Sequence, residues 1–198
     1  MDEKNRAWVE KMIQGHEPAF DEVYRSYSGK LYRMAYFITG NKSDSEDVLQ
    51  EVFVSCFLHR GDLKNPECFE TWIYRILVRT AWKLCRKRKE VSLDAYFEHP
   101  EDAGLAQRLH EDSQAGPLEQ LLEKEDASEL WDRVSKLDVK YRTVILLYYY
   151  NGLGTREIAR ITGTLEGTVK SRLFQARKLL QKGLWQEERG MHFEGKMG

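Results

Sequence analysis

The stretch TREIARITGTLEGTVKSRLFQARKLL, residues Thr155–Leu180, has the spacing of two short helices joined by a turn. Ile158 falls at a core position, the small residue Ala159 allows two helices to cross closely, and Gly163 permits a left-handed turn. Val169 follows ten residues after Ala159, where a second helix would pack back on the first. This spacing predicts a helix-turn-helix.

The second of these helices combines a polar face with an aromatic ring. When Val169 and Leu173 face the core, the opposite side collects Gly167, Ser171, Phe174, Gln175 and Lys178, with Lys170, Arg172 and Arg177 at its edges. Cationic side chains can neutralise phosphates, polar groups can hydrogen-bond base edges, and an apolar ring can contact a thymine methyl. This combination of side chains predicts that the face contacts DNA. The alternative is that Phe174 covers a neighbouring helix and the charges form a solvated surface.

The start of the same helix has a further feature suited to DNA. Gly167 and Thr168 leave free backbone amides at the helix N-terminus, where the helix dipole also favours an anion. We expect a DNA phosphate to bind there.

A second basic face lies in WIYRILVRTAWKLCRKRK, which begins at Trp72. Helical spacing turns Ile73, Leu77, Ala81 and Leu84 inward and turns Arg75, Arg79, Trp82 and Arg86 outward, with Trp72 beside the outward row. Cations suit a nucleic-acid backbone, and indole rings suit unstacked bases. The pattern predicts that this helix provides a second nucleic-acid-binding surface. The alternative is an ordinary charged helix that binds no nucleic acid.

The preceding helix, SDSEDVLQEVFVSCFL, has an acidic outer face. Ser43 is a plausible N-cap with Glu46 three residues later, and the predicted core positions are Val48, Leu49, Val52, Phe53, Cys56 and Phe57. The other side presents Asp47, Gln50, Glu51 and Val54. An acidic, partly apolar face repels DNA but suits a protein partner.

Charge and periodicity divide the chain into two helical blocks. Seven basic and no acidic residues lie between Arg75 and Lys89, whereas Asp94 to Glu129 holds eleven acids and two bases. The first helix of block one is predicted from Glu17 and Pro18 to Gly40. The fold class is all-α, with a first domain at 1–90, a flexible acidic linker at 91–117, a helix-turn-helix domain at 118–183 and a frayed tail at 184–198.

Hydropathy, cysteine spacing and the motifs that are absent limit where the protein can act and what chemistry it can perform. No apolar run is long enough for a membrane helix and the N-terminus does not resemble a signal peptide, so we expect a cytoplasmic protein without membrane insertion. Cys56, Cys68 and Cys85 show no metal-ligand spacing, and two of them are predicted to be buried. We expect no cofactor, no metal and no enzymatic activity, since no catalytic pattern or phosphate loop is found.

Three segments together resemble bacterial RNA polymerase sigma factors of the extracytoplasmic function (ECF) group. They are SEDVLQEVF, FETWIYRILVRTAWKLCRKRK and YRTVILLYYYNGLGTREIARITGTLEGTVKSRLFQARKLL, in that order and separated by a variable join. The resemblance implies a sigma region 2 domain followed by a region 4 domain. The rival interpretation is an ordinary transcription regulator whose first block is a sensor or dimerisation module.

The resemblance also implies roles for particular residues. Asp47, Gln50 and Glu51 would dock on the beta-prime coiled coil of core RNA polymerase, and region 4 would meet the beta flap. The -10 promoter element would be contacted by Trp72, Arg75, Arg79, Trp82, Lys83 and Arg86, and the loop from Arg60 to Glu67 would hold a flipped-out base. The -35 element would be contacted by Gly167, Thr168, Lys170, Ser171, Arg172, Phe174, Gln175 and Lys178.

The resemblance further implies control by an anti-sigma factor, which could be anchored in the membrane. The chain departs from the family pattern in three places. Arg79 stands where many relatives carry asparagine, the loop GDLKNPECF is somewhat long, and the extension after Gly183 has no assigned counterpart.

Overall fold

The computed structural model describes residues 1–92 and 131–194 of the 198-residue chain, with side chains described for 1–88 and 131–181. Within these ranges every regular element is helical, as the sequence predicted. The helices are α1 (Glu3–Ile13), α2 (Glu17–Thr39), α3 (Lys42–His59), α4 (Phe69–Ser92), α5 (Val139–Ile145), α6 (Thr155–Thr162) and α7 (Glu166–Glu194). Residues 131–135 are also helical, and Leu146–Tyr150 forms a π-helical turn directly after α5.

The first module consists of α1 to α4 around one apolar core. Helix α2 packs against α1 and α3, and α3 packs against α4. Leu31, Met34, Ile38, Ile73 and Leu77 in this core have no solvent-exposed surface. Burial of each such side chain contributes about 1.5–3 kcal/mol, so the apolar stripes of α2 and α4 hold the module together.

The predicted limits of α2 are confirmed, whereas the predicted cap of α3 is wrong. Pro18 lies in the first turn of α2, and Gly40 ends the helix with a left-handed φ of 71°. The N-cap of α3 is Asn41 rather than Ser43. The side-chain oxygen of Asn41 accepts a hydrogen bond of 3.0 Å from the amide of Asp44, and Ser43 already lies inside the first turn.

Helix α1 was not predicted from the sequence. Val9 and Met12 are fully buried, and Trp8 and Ile13 pack beside them against the core. This apolar stripe spans less than two turns within a charged segment, so it was easy to miss in the sequence. The helix gains its stability by packing against α2.

The second module contains the predicted helix-turn-helix. Helix α6 ends at Gly163, whose φ of 66° provides the left-handed turn, and α7 begins three residues later at Glu166. Ile158, Val169 and Ala176 are fully buried where the two helices meet. Helix α7 continues to Glu194, past residue 183, where the sequence predicted that the module ends.

The two modules pack on each other, which the sequence did not predict. Helices α5 and α6 contact α4, and α5 also contacts α2, so the buried residues of both modules form one continuous apolar cluster. The acidic linker predicted at 91–117 lies almost entirely outside the described residues, as do residues 118–130 and 195–198.

Candidate nucleic-acid and protein-binding surfaces

The predicted DNA face of α7 is open to solvent. Ser171, Gln175, Lys170 and Lys178 are exposed, and so is 58% of Phe174. The opposite side of α7 is held in the core by residues such as Val169 and Leu173, so the orientation of the face follows from the apolar stripe. The exposure of the Phe174 ring excludes the alternative in which it covers a neighbouring helix.

An open groove lies at the start of α7. It is lined by Lys140, Tyr141, Gly167, Thr168, Ser171, Arg172 and Gln175. Lys140 comes from α5, and its ammonium group lies 4.9 Å from the centre of the Tyr141 ring. The predicted site missed Lys140 because the sequence shows no helical periodicity that links α5 with α7. The groove brings this extra cation beside the backbone amides expected to bind a phosphate.

Glu166 connects the two helices of the helix-turn-helix. Its carboxylate accepts a hydrogen bond of 2.9 Å from the hydroxyl of Thr155 at the start of α6 and forms an ion pair with Arg156 at 3.4 Å. The hydrogen bond from Lys170, followed by that from Thr155, lowers the pKa of Glu166 from its ordinary 4.5 to about 2. Glu166 is therefore ionised throughout the neutral range.

The basic row of α4 is also exposed. Arg75, Arg79 and Arg86 face solvent, as the helical spacing predicted, and Lys83, which only the family resemblance added to this surface, is exposed as well. Trp72 is half-buried, with its ring centre 6.1 Å from that of Phe69. The cations of α4 are thus available to phosphates, while the Trp72 ring is partly held by its own module.

The predicted outward orientation of Trp82 is wrong. Its ring is half-buried against the second module, and its indole nitrogen donates a hydrogen bond of 2.9 Å to the hydroxyl of Thr143 on α5. The Arg172 guanidinium carbon lies 5.9 Å from the centre of the same ring. The periodicity of α4 alone could not reveal this contact, because the covering residues come from another module.

The outer face of α3 is acidic at one end and apolar at the other. Asp47, Gln50 and Glu51 are exposed as predicted, and so is 48% of Val54. Leu58, which the sequence analysis did not assign to this face, is 67% exposed. The two ends together form a surface with both charge and apolar area, which suits a protein partner.

Phe57 was predicted to be a core residue but is 39% exposed. Its ring makes an edge contact with Phe20 at 5.3 Å, and the Arg60 guanidinium lies 4.2 Å from its centre. The ring therefore lies at the edge of the core, whereas the neighbouring Cys56 is fully buried. The result is an apolar hollow between α2 and α3, lined by Phe20, Tyr24, Glu46, Leu49, Gln50, Phe53, Val54, Phe57 and Leu58.

The acidic face of α3 and the basic row of α4 border the same groove. Asp47 and Glu51 line one side, while Arg79, Lys83 and Lys87 line the other. The sequence analysis treated these two surfaces as separate. Their proximity means that a protein bound to α3 and a nucleic acid bound to α4 would lie side by side.

The loop between α3 and α4 forms two short 3-10 turns, Arg60–Asp62 and Pro66–Cys68. Leu63 anchors the loop with only 5% of its surface exposed, and Glu67 forms an ion pair of 2.8 Å with Arg6 of α1. The loop is thus held at Leu63, near its middle, and at Glu67, just before α4. Its expected role in holding a base stays a prediction.

The three cysteines are free and differ in exposure. Cys56 is buried, Cys68 is exposed and Cys85 is half-buried. Burial raises the pKa of the Cys56 thiol to about 12. Within the described residues no group of three or more potential metal ligands is found. No helix in residues 1–92 or 131–194 has both the length and the hydrophobicity needed to span a bilayer.

Comparisons with known proteins agree on one family. The family model described as Sigma-70 region 2 matches residues 23–91, and the one described as Sigma-70, region 4 matches residues 127–180. The chain is 30% identical over 177 residues to the ECF RNA polymerase sigma factor SigW of Bacillus subtilis, with 89% of this chain and 94% of that protein covered. It is 32% identical over 161 residues to the RNA polymerase sigma factor SigV of the same organism, with 80% and 86% covered.

Two solved structures share the fold. CnrH, solved in complex with the cytosolic domain of CnrY, has a TM-score of 0.63 at 23% identity and covers 91% of this chain and 96% of its own. The sigma factor RpoE from Bartonella quintana, solved in complex with the anti-sigma factor NepR, has a TM-score of 0.62 at 21% identity and covers 83% and 96%.

Proposed function

The chain belongs to the ECF group of RNA polymerase sigma factors. We propose that three separate exposed surfaces of the chain bind different partners during promoter recognition. One surface binds core polymerase, one contacts the -10 element and one contacts the -35 element. The observation that supports this division is that a single chain exposes an acidic-apolar face on α3, a basic row on α4 and a polar recognition face on α7.

Core polymerase binds the α3 face. Asp47, Gln50 and Glu51 contribute charge and hydrogen bonds, and Val54 and Leu58 contribute apolar contact area. Such a combination of a partly apolar centre and a polar rim is typical of protein interfaces. The part of polymerase proposed for this face is the beta-prime coiled coil, and the part proposed for the second module is the beta flap.

The -10 element meets the basic row of α4. Arg75, Arg79, Lys83 and Arg86 neutralise phosphates, which supplies affinity that depends on salt. Trp72 is positioned to stack on an unpaired base, whereas Trp82 could do so only after its contact with Thr143 is broken. The loop from Arg60 to Glu67 receives the flipped base, whose extrusion costs a few kcal/mol.

The -35 element receives α7 in its major groove. Phe174 and Gln175 lie at the centre of the exposed face and contact base edges, with Ser171 beside them. Gly167, Thr168, Lys170, Arg172 and Lys178 contact the flanking phosphates. Two modest DNA contacts fixed on one polymerase act together through effective concentration, so neither has to be tight.

The factor directs polymerase without catalysing a reaction itself, and it acts where bacterial transcription takes place, in the cytoplasm. We also propose that an anti-sigma factor holds it inactive. The apolar surface formed by Tyr24, Val54, Phe57 and Leu58 offers an inhibitor a place to compete with polymerase. Such an inhibitor could itself be anchored in the membrane.

Run-off transcription with purified core polymerase tests the proposal. The chain should give transcripts that start at defined promoters, and these should disappear when core polymerase or the chain is omitted. Arg79→Ala should reduce initiation at these promoters, while Arg25→Ala, an exposed arginine on α2, should not. Specific DNA binding without any polymerase-dependent transcript would instead identify an ordinary regulator.

A further inference from the structure

Helix α1 packs beside the loop that is expected to hold a flipped-out base. This loop runs from Arg60 to Glu67, and its two 3-10 turns, Arg60–Asp62 and Pro66–Cys68, both contact α1. Helix α1 also packs on α2, and that packing alone is enough to hold it in the module. The contacts with the loop are additional, and they fix the position of a segment expected to bind DNA.

The direct link between helix and loop is an ion pair of Arg6 with Glu67. The Nη1 atom of Arg6 lies 2.8 Å from the Glu67 carboxylate. The Nε atom of the same guanidinium donates at 3.1 Å to the carboxylate of Glu10, one turn further along α1. Glu10 thus holds the guanidinium against its own helix, while the other end of the group reaches across to the loop.

Glu67 belongs to a turn that is held together by its own hydrogen bonds. The Glu67 amide donates at 3.0 Å to the side-chain oxygen of Asn65, which precedes the turn Pro66–Cys68. The Cys68 amide donates at 3.0 Å to the backbone carbonyl of Asn65. Because these bonds connect Glu67 to the rest of the turn, the ion pair with Arg6 fixes the whole turn relative to α1.

The turn leads directly into the first turn of α4, which is held by α2. Phe69 is fully buried, and its ring makes an edge contact at 5.1 Å with the ring of Tyr27. The Tyr27 hydroxyl donates at 3.1 Å to the carboxylate of Glu70. The ring centre of Trp72 lies 6.1 Å from that of Phe69. The end of the loop and the indole proposed to stack on a base therefore share one support.

The length of the loop makes this support important. The segment GDLKNPECF is somewhat long for the family, and the entropy lost on fixing a loop grows with its length. Leu63 is buried and holds one point of the loop, whereas Asp62, Lys64 and Asn65 are exposed and available to a base. With only one fixed point, these exposed side chains would sample several positions. The ion pair of Arg6 provides a second fixed point.

We propose that Arg6 is a positioning residue for base recognition, which acts through Glu67 to hold the loop in the geometry that grips the flipped base of the -10 element. This inference rests on the proposed function, which assigns that base to the loop. Arg6 itself does not touch the base. A binding site held within about 0.5 Å of its productive geometry by supporting contacts discriminates better than a loose one, so loss of the support weakens the preference for one base.

Hydrogen exchange on the full chain without DNA tests the support of the loop. Arg6→Glu places an acid opposite Glu10 and Glu67 and should speed amide exchange in residues 61–67 about threefold. Arg6→Gln, which removes only the charge, should show the same effect at smaller size. Both Arg6 and Glu67 are more than half exposed, so breaking their ion pair should leave the module folded, which circular dichroism verifies.

Arg25→Glu is the matched control. Arg25 is an exposed arginine whose Nη1 lies 2.8 Å from the carboxylate of Glu22, three residues earlier in α2. Arg25→Glu and Arg6→Glu change the net charge equally, and each breaks an ion pair within a helix. Only Arg6→Glu also breaks the ion pair with the loop, so the control should leave exchange in residues 61–67 unchanged.

Selection by the holoenzyme from a promoter library randomised across the -10 element measures base preference. The base analogue 2-aminopurine, placed at each position in turn, identifies the flipped base because its fluorescence rises when it leaves the stack. At that position Arg6→Glu should lower the ratio of the best to the worst base about threefold, whereas Arg25→Glu should leave the ratio unchanged. A general loss of DNA affinity caused by the charge change cancels in this ratio.

A double variant tests whether Arg6 acts through Glu67. Glu67→Arg, added to Arg6→Glu, rebuilds the ion pair with opposite polarity and should restore both slow exchange and base preference. The inference would be overturned by unchanged exchange in Arg6→Glu, by faster exchange with unchanged base preference, or by a double variant that restores neither. Absence of promoter-specific transcripts from the unchanged chain would instead overturn the proposed function, and hydrogen exchange would still decide whether Arg6 supports the loop.

Discussion

The Glu166 carboxylate lies 2.8 Å from the ammonium group of Lys170, one turn further along α7. The same carboxylate holds the hydroxyl of Thr155 at the start of α6. Glu166 thus links the two helices of the helix-turn-helix. It also forms an ion pair with Lys170, which is expected to contact DNA. An acidic residue in the first turn interacts favourably with the helix dipole. It also forms a favourable ion pair with a lysine four residues later.

We predict that Glu166→Gln destabilises the protein at neutral pH and that this effect disappears in acid. The folded-state pKa of Glu166 is about 2, below its ordinary 4.5. Its contribution to the free energy of unfolding is therefore complete above pH 4.5 and is lost as the pH falls towards 2. Chemical denaturation of both proteins across this range measures the difference.

Glu17→Gln provides the control, since Glu17 is an exposed acid in the first turn of α2 in the other module. Its effect should be smaller than that of Glu166→Gln at neutral pH. An effect of Glu166→Gln that stayed constant down to pH 2 would contradict the proposed bracing role.

Phe174→Ala should change sequence preference at the -35 element. The ring lies on the exposed face of α7, where contact with a thymine methyl contributes to discrimination between bases, and its loss should cost about 1–3 kcal/mol at the preferred site. Selection from a randomised -35 library measures the preference. Leu179→Ala removes an equally apolar, 45% exposed residue from another side of α7 and should leave the preference unchanged.

Lys178→Gln should lower DNA affinity almost equally for all sequences. A lysine that neutralises one phosphate releases about one counterion. Removing it should therefore make the negative slope of log affinity against log salt shallower by about one. Titrations of the holoenzyme on promoter DNA at several salt concentrations measure that slope. Lys30→Gln changes an exposed lysine on α2 and should leave the slope unaltered. A base-specific effect of Lys178→Gln would show that it contacts bases instead.

Local sequence signals predicted the elements that depend on local chemistry. Pro18 and Gly40 set the limits of α2, and Gly163 set the turn before α7, because each residue favours one backbone geometry wherever it occurs. The apolar stripe of α7 also predicted that Phe174 faces solvent, since only helical spacing is needed for that inference.

The failures depend on partners far away in the chain. Trp82 was assigned to solvent because the periodicity of α4 shows only which side faces its own module. Its actual partner, Thr143, belongs to a helix with no sequence feature that points to α4. Phe57 has core spacing, but its ring makes an edge contact with Phe20 of α2 and stays 39% exposed, because no other element covers its remaining surface in the described residues.

Thiol labelling should distinguish the cysteines. At pH 8 Cys68 should react rapidly because it is exposed, whereas Cys56 should react only through opening of the first module. Burial raises the pKa of Cys56 to about 12, which also removes the reactive thiolate. Mass spectrometry after short exposure to iodoacetamide assigns each thiol. The fast phase should vanish in Cys68→Ser, and a fast phase that persisted from Cys56 would contradict the packing of α3.

Leu58→Ala should weaken binding to core polymerase without affecting DNA contacts. Leu58 is 67% exposed beside the acidic residues of α3, and truncation of an apolar interface residue typically costs about 1–2 kcal/mol, or about a 5- to 30-fold rise in Kd. Fluorescence titration of core polymerase measures the Kd. Lys30→Ala truncates an exposed side chain on α2 that has no assigned contact with polymerase, and it should leave the Kd unchanged. Equal losses in both variants would show a nonspecific effect of truncation, and unchanged binding in Leu58→Ala would place polymerase on another face.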